Sequence, residues 1–191
     1  MPLPAGKFYT YADFLTWDES VWAELIEGDV FMMSPTPARF HQEISGEIFA
    51  QIHYYLRGRN CKVYAAPFTV RPFEREGDDP RGVDTVVQPD ITVVCDPGKL
   101  DDMGCKGAPD LIVEILSPSN RRHDMLTKFN LYQRAGVREY WIVDPDARTV
   151  SVYTLEEGAC HAAEVYSAGS GVPVGVLEDC AVDLKTVFPD T

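Results

Sequence analysis

Long apolar runs are missing from this sequence. No stretch approaches the ~18 residues of a membrane-spanning helix, and the N-terminus carries no basic-then-apolar leader, so the expectation is a cytoplasmic protein off the membrane. Paired cysteines are missing as well. Cys61, Cys95, Cys105, Cys160 and Cys180 are widely spaced and odd in number, which speaks against a zinc ribbon and for reduced structural thiols over a disulfide framework. The histidines at 41, 53, 123 and 161 show no HExxH or similar ligand spacing, so no zinc site is expected. Internal repeats and low-complexity tracts are also lacking.

Positive charge is scarce: 17 Lys and Arg stand against 30 Asp and Glu, a net charge of −13. Nonspecific binding to duplex DNA draws on phosphate neutralisation by Lys and Arg. A chain this acidic must gather its basic residues locally if it is to touch DNA. Arg57/Arg59/Lys62 and Arg121/Arg122/His123 are the clusters on offer, although such clusters are commonly solvated helix ends.

What is present fits one globular domain over 1–191, with an apolar share of 45% that can build a core. Residues 8–22 read as a short amphipathic helix, and 24–33 (ELIEGDVFMM) as a hairpin turning at Glu27-Gly28-Asp29. Ile44, Ile48, Ile52 and Leu56 recur at one-turn spacing and predict a helix from about His41 to Leu56, ended by Gly58. Lys62–Val70 and Val86–Cys95 read as strands joined by a long charged tip. Residues 111–116 (LIVEIL) are a further strand, and Ser117-Pro118-Ser119-Asn120 supplies capping side chains for a helix to about Ala135. Gly136 stops that helix, and EYWIVDP (139–145) follows as a strand. Strand, helix, strand in so short a span is the signature of a parallel crossover. The expected core, about 41–145, is therefore α-β-β-β-α-β in a mixed sheet, with the 8–33 module before it and a β extension with a short helix over 149–191 after it.

One carboxylate stands out. Glu114 interrupts an otherwise apolar strand and shares its face with Ile112 and Leu116, so it needs a partner or a metal to be held there. A structural ion pair and a functional group are equally open from its position alone. If strands 86–95 and 111–117 are antiparallel neighbours, Asp90 at the start of one lies near Glu114 at the end of the other. Asp110 is a poorer candidate, about 13 Å from Glu114 along the strand. Lys128 is the third residue. The strand runs about 10 Å beyond Glu114, and the helix returns about 12 Å from Asn120 to Lys128. An antiparallel helix thus brings Lys128 back level with Glu114, with Met125, Phe129 and Tyr132 as its packing stripe. Asp124 lies one turn before Lys128, an acid–base pairing common on solvated helices. Two carboxylates and an ammonium suit Mg²⁺ or Mn²⁺ and the hydrolysis of a phosphodiester.

The segments WAELIEGDVFMMSPTPARFHQEI, VQPDITVV and PDLIVEILSPSNRRHDMLTKFNLYQRAGVREYWIVDP together resemble the Uma-two family of bacterial proteins, described as restriction-type endonucleases. The resemblance runs from about residue 8 to 155. It implies a fold similar to PD-(D/E)XK nucleases, whose core order is the one read above, with Asp90 and Glu114 as metal ligands. The nuclease pattern places a lysine two residues after the glutamate, where this chain has Leu116. In the family the lysine has moved to the following helix, here Lys128. His41 also matches a family position, as a ligand or a helix cap. Glu24, Glu43 and Glu47 are alternatives for a further acidic group. The resulting expectation is a Mg²⁺- or Mn²⁺-dependent DNA endonuclease. Two alternatives stand beside it: a nuclease-fold protein that acts on another phosphate substrate or binds nucleic acid or protein without cutting, and a structural domain in which Glu114, Asp124 and Lys128 form an ion-pair network. Edge strands in the β extension could pair across a two-fold axis, giving a homodimer.

Overall fold

A computed structural model describes residues 6–18, 20–33, 38–117, 123–156 and 159–189. It is a mixed α/β architecture. After α1 (Tyr11–Phe14) come the hairpin strands β1 (Ala23–Ile26) and β2 (Asp29–Met32), then α2 (Arg39–Leu56). Strands β3 (Lys62–Ala65), β4 (Val70–Arg71), β5 (Ile91–Val94), β6 (Leu100–Asp101), β7 (Gly104–Lys106) and β8 (Leu111–Ile115) lead to a π-helical turn (His123–Lys128) that runs straight into α3 (Phe129–Ala135). The chain continues through β9 (Glu139–Asp144), β10 (Thr149–Glu156), β11 (Ala159–Cys160), β12 (Glu164–Ser167), β13 (Gly171–Pro173) and β14 (Ala181–Asp183) to α4 (Leu184–Val187).

The main sheet has seven strands in the order β11-β10-β9-β8-β5-β3, with β12 also on β10. β8 is antiparallel to β5 but parallel to β9. Side chains alternate along β8, so its two faces enter two cores. Leu111, Val113 and Ile115 pack with Ile44, Ile48 and Ile52 of α2. Ile112 and Leu116 pack with Leu131 and Tyr132 of α3. Gly136, at φ 85°, ends α3 in the left-handed conformation that glycine tolerates best. Among the described residues, no helix is long and apolar enough to cross a membrane.

Four expectations are corrected. The helix expected over 8–22 is only Tyr11–Phe14. Its apolar residues make a local aromatic cluster instead of a helical stripe, Trp17 folding back onto Tyr9 and Phe14 with ring centroids 5.8 and 5.0 Å apart. Strand 62–70 stops at Ala65, because Pro67 has no N–H for the ladder, and resumes as β4 in a different sheet. Strand 86–95 is likewise divided at Pro89: Val86 and Val87 bridge Leu25 and Val70, and only Ile91–Val94 joins the main sheet. Finally, Cys61 and Cys95 form a disulfide. The β3–β5 register pairs Lys62 with Val94, which sets Cys61 opposite Cys95 across two adjacent strands. Cys105 and Cys180 are free and buried. The expected capping residues Pro118, Ser119 and Asn120 lie outside the described residues.

Candidate active site

Glu114 is 2% exposed on the α3 face of β8. An isolated carboxylate there would be costly, and it is not isolated. Lys128, the last residue of the π turn, places Nζ 3.0 Å from Glu114 Oε1. The same ammonium lies 3.0 Å from Oε1 of Glu24 on β1. Glu24 and Lys128 are themselves 2% and 4% exposed. A cation thus sits between two enclosed carboxylates, an arrangement that low dielectric strengthens once the charges are matched. Glu24 Oε1 also accepts from the Gln88 amide at 2.9 Å, which fixes the hairpin carboxylate against the segment leading into β5.

Asp90 stands one residue before β5. Its Oδ2 accepts the backbone N–H of Ile115 at 2.7 Å, so the residue after Glu114 ties the two carboxylates to one another. His41, near the start of α2, brings Nε2 to 3.3 Å from the same Asp90 oxygen. The side chains of His41 and Asp90 are 13% and 19% exposed. Asp90 and His41 therefore form the solvent-facing side of the cluster, and Glu24, Glu114 and Lys128 its enclosed side. The helix cap of α2 is Ala38, and His41 is directed at Asp90 instead.

Tyr132 was expected only as part of a packing stripe. Its ring packs in the second core, but its hydroxyl donates to Glu114 Oε1 at 2.7 Å. Burial, and then the Glu114 and Glu24 carboxylates, push that hydroxyl well above the ordinary tyrosine range, so it stays protonated and acts as a donor. The signal available in the sequence was its spacing, one turn beyond Lys128 on the same helix.

Other candidates fall elsewhere. Glu43 is exposed and pairs with Arg39. Glu47 accepts from Gln51, whose amide reaches Thr186 and the Asp183 carbonyl in the C-terminal segment. Asp110 is engaged by the Cys95 amide at 2.7 Å and by Arg138 at 3.1 Å. The Asp124 side chain and the Arg121/Arg122/His123 cluster lie outside the described side chains. Arg57 and Arg59 stack over Tyr54 and Tyr55, at the end of α2 about 24 Å along the helix from His41.

Among the described residues, no three His, Cys, Asp or Glu side chains are grouped to hold a metal. Asp90 and Glu114 offer hard oxygens only, which suits a strongly hydrated cation bound through one or two carboxylates plus water or phosphate.

The sequence pattern of the Uma2 family, described as "Putative restriction endonuclease", matches residues 11–184. The chain belongs to the Uma2 family. It is 24% identical over 144 residues to an uncharacterized protein, slr1290, of Synechocystis sp. (strain ATCC 27184 / PCC 6803 / Kazusa), covering 74% of this chain and 71% of that one. Its fold is similar to a crystal structure titled as "a putative nuclease belonging to DUF820 from Anabaena variabilis ATCC 29413". The TM-score is 0.72 at 24% identity, covering 94% of this chain and 97% of the other. At that identity the likeness establishes a shared fold, into which this Uma2 chain places the cluster described above.

Proposed function

We propose that this Uma2 chain is a Mg²⁺- or Mn²⁺-dependent endonuclease that hydrolyses DNA phosphodiester bonds. The observation that carries the reading is the meeting of Glu114 with Lys128 at 3.0 Å, on a strand end that also binds Asp90 through the Ile115 amide. Asp90 and Glu114 are the residues that would hold the metal, which when bound polarises a phosphoryl oxygen and lowers the pKa of a coordinated water. Lys128 supplies a fixed positive charge for the oxygens of the phosphoryl group as negative charge builds on them. Glu24 keeps that ammonium in place through its own 3.0 Å contact. His41 orients Asp90. The overall step adds water at phosphorus and breaks one P–O ester bond, leaving a phosphate monoester and a hydroxyl.

The net charge of −13 disfavours broad nonspecific grip on duplex DNA, which supports a selective or weakly binding enzyme. The test is incubation of supercoiled, nicked and single-stranded DNA with Mg²⁺ or Mn²⁺. Cleavage by the wild type that drops at least about 100-fold in Glu114→Gln and in Lys128→Ala is expected. No cleavage by the wild type, or equal cleavage by both variants, overturns the reading in favour of a nuclease fold that binds without cutting.

A further inference from the structure

Two large apolar side chains stand exposed beside the site. Trp22 is 39% exposed and Phe40 41%. The Met33 amide donates to the Trp22 carbonyl at 2.8 Å, so the β1–β2 ladder continues one residue beyond Ala23. Side chains alternate along a strand, which puts Trp22 on the face of Glu24, about 7 Å away along the chain. That is the face whose carboxylate meets Lys128. The bridge between Leu25 and Val86 is antiparallel. The step from Leu25 back to Trp22 therefore runs alongside the step from Val86 on to Pro89, the neighbour of Asp90. Phe40 immediately precedes His41, whose Nε2 meets Asp90. It also stands one turn before Ile44, at the head of the stripe Ile44, Ile48, Ile52 and Leu56, all 6% exposed or less. The buried stripe of α2 thus begins with a ring that the core leaves uncovered.

We propose that Trp22 and Phe40 stack on unpaired bases of the strand being cut, which makes single-stranded or locally opened DNA the substrate class. This rests on the endonuclease reading above and names its substrate. Exposed apolar residues scattered singly are ordinary, but these two adjoin the residues around Asp90, one from the hairpin and one from α2. A base fits both their chemistry and their place. Aromatic rings stack on any base, and that attraction needs no net positive charge on the protein. The point matters at a net charge of −13, where phosphate neutralisation is in short supply. Arg39, the cation beside Phe40, is paired with Glu43, and Arg57 and Arg59 stack on tyrosines at the far end of α2. In an intact duplex the bases stack on one another, and unstacking them costs energy that an already single strand does not require.

The test is binding of a fluorescein-labelled oligothymidylate of about 15 nucleotides, long enough to cover one site, read by anisotropy. Ca²⁺ replaces Mg²⁺, filling an oxygen site in a looser geometry. The comparison strands are an abasic one with the same phosphates and the matching duplex. The wild type is expected to bind the thymidylate strand at least about tenfold tighter than either. Trp22→Ala and Phe40→Ala should each weaken binding to that strand roughly 5- to 150-fold and leave the abasic strand unchanged, with Trp22→Phe recovering most of the loss. Equal binding of the three probes by the wild type, or no binding of any, overturns the proposal, and neither result depends on a variant folding. Unchanged affinity in both alanine variants overturns it too. Cleavage is read separately, in Mg²⁺ and Mn²⁺. A wild type that binds the thymidylate strand through Trp22 yet cuts no DNA overturns the endonuclease reading and leaves the stacking surface standing. One that cuts DNA but binds all three probes alike overturns the stacking surface alone.

Discussion

The backbone N–H of Ile115 donates to Asp90 Oδ2 at 2.7 Å, so β8 positions the Asp90 carboxylate with its main chain and presents Glu114 with its side chain. Asp90→Asn separates those two contributions. The amide carbonyl can still accept from Ile115, and the fold should survive with a melting temperature within a few degrees of wild type. Mn²⁺ affinity should fall by at least about tenfold because a charged ligand is gone. Calorimetric titration of both proteins checks this, and equal affinities would remove Asp90 from the site.

Lys128→Met leaves Glu24 and Glu114 enclosed without the cation between them. Breaking a buried pair from one side costs about 3–5 kcal/mol, and urea unfolding is the measurement. The Glu24→Gln/Glu114→Gln/Lys128→Met triple variant removes the stranded charges and should recover much of the loss. A Lys128→Met chain as stable as wild type would mean that the ion pairs contribute nothing to the fold.

Glu139 is a buried carboxylate away from the site, bonded by Trp141 Nε1 at 2.6 Å and the Val176 amide at 2.8 Å. Burial raises its pKa above the ordinary 4.5, outweighing those donors. A carboxyl raised in the folded state contributes stability that is full below the unfolded pKa and is lost as pH rises through the folded one. As pH rises from below 4.5 through the raised folded value, the wild type should therefore lose stability relative to Glu139→Gln. Urea midpoints across that range test it, and parallel curves would refute it.

Reducing the Cys61–Cys95 bond opens a loop with a sequence separation of 34, which should lower unfolding free energy by about 2–4 kcal/mol. Burial pushes the Cys105 and Cys180 thiols up to about 11. At about pH 8 roughly one in a thousand is then thiolate. Peptide mapping after brief iodoacetamide treatment of the folded protein should leave both unlabelled.

Glu114 was legible in the sequence because a charge in LIVEIL has no cheap place to go, and Lys128 because strand and helix rises can be added. Both depend on one contiguous segment. Glu24 could not be chosen over Glu43 and Glu47, since its contacts with Lys128 and Gln88 are distant in sequence and depend on how the hairpin docks. Tyr132 was hidden by its ring, which satisfies the helix periodicity while the hydroxyl does something periodicity does not register. The disulfide was missed for a similar reason. Cys61 and Cys95 meet only through the β3–β5 register, and spacing alone does not encode register. The 8–22 helix failed because the aromatic residues there pack on each other.

The contact between Glu24 and Lys128 also bears on how small this fold can be cut. A chain trimmed to residues 41–145 would retain Asp90, Glu114, Lys128 and Tyr132, and by inspection would look intact. It would lack the hairpin, and with it the second carboxylate on the ammonium. Lys128 would then lose one of the two buried carboxylates that hold it, and the face of β8 that the hairpin helps to enclose would meet water. The N-terminal module is a wall of the site, and the smallest unit able to hold this chemistry begins before the core does.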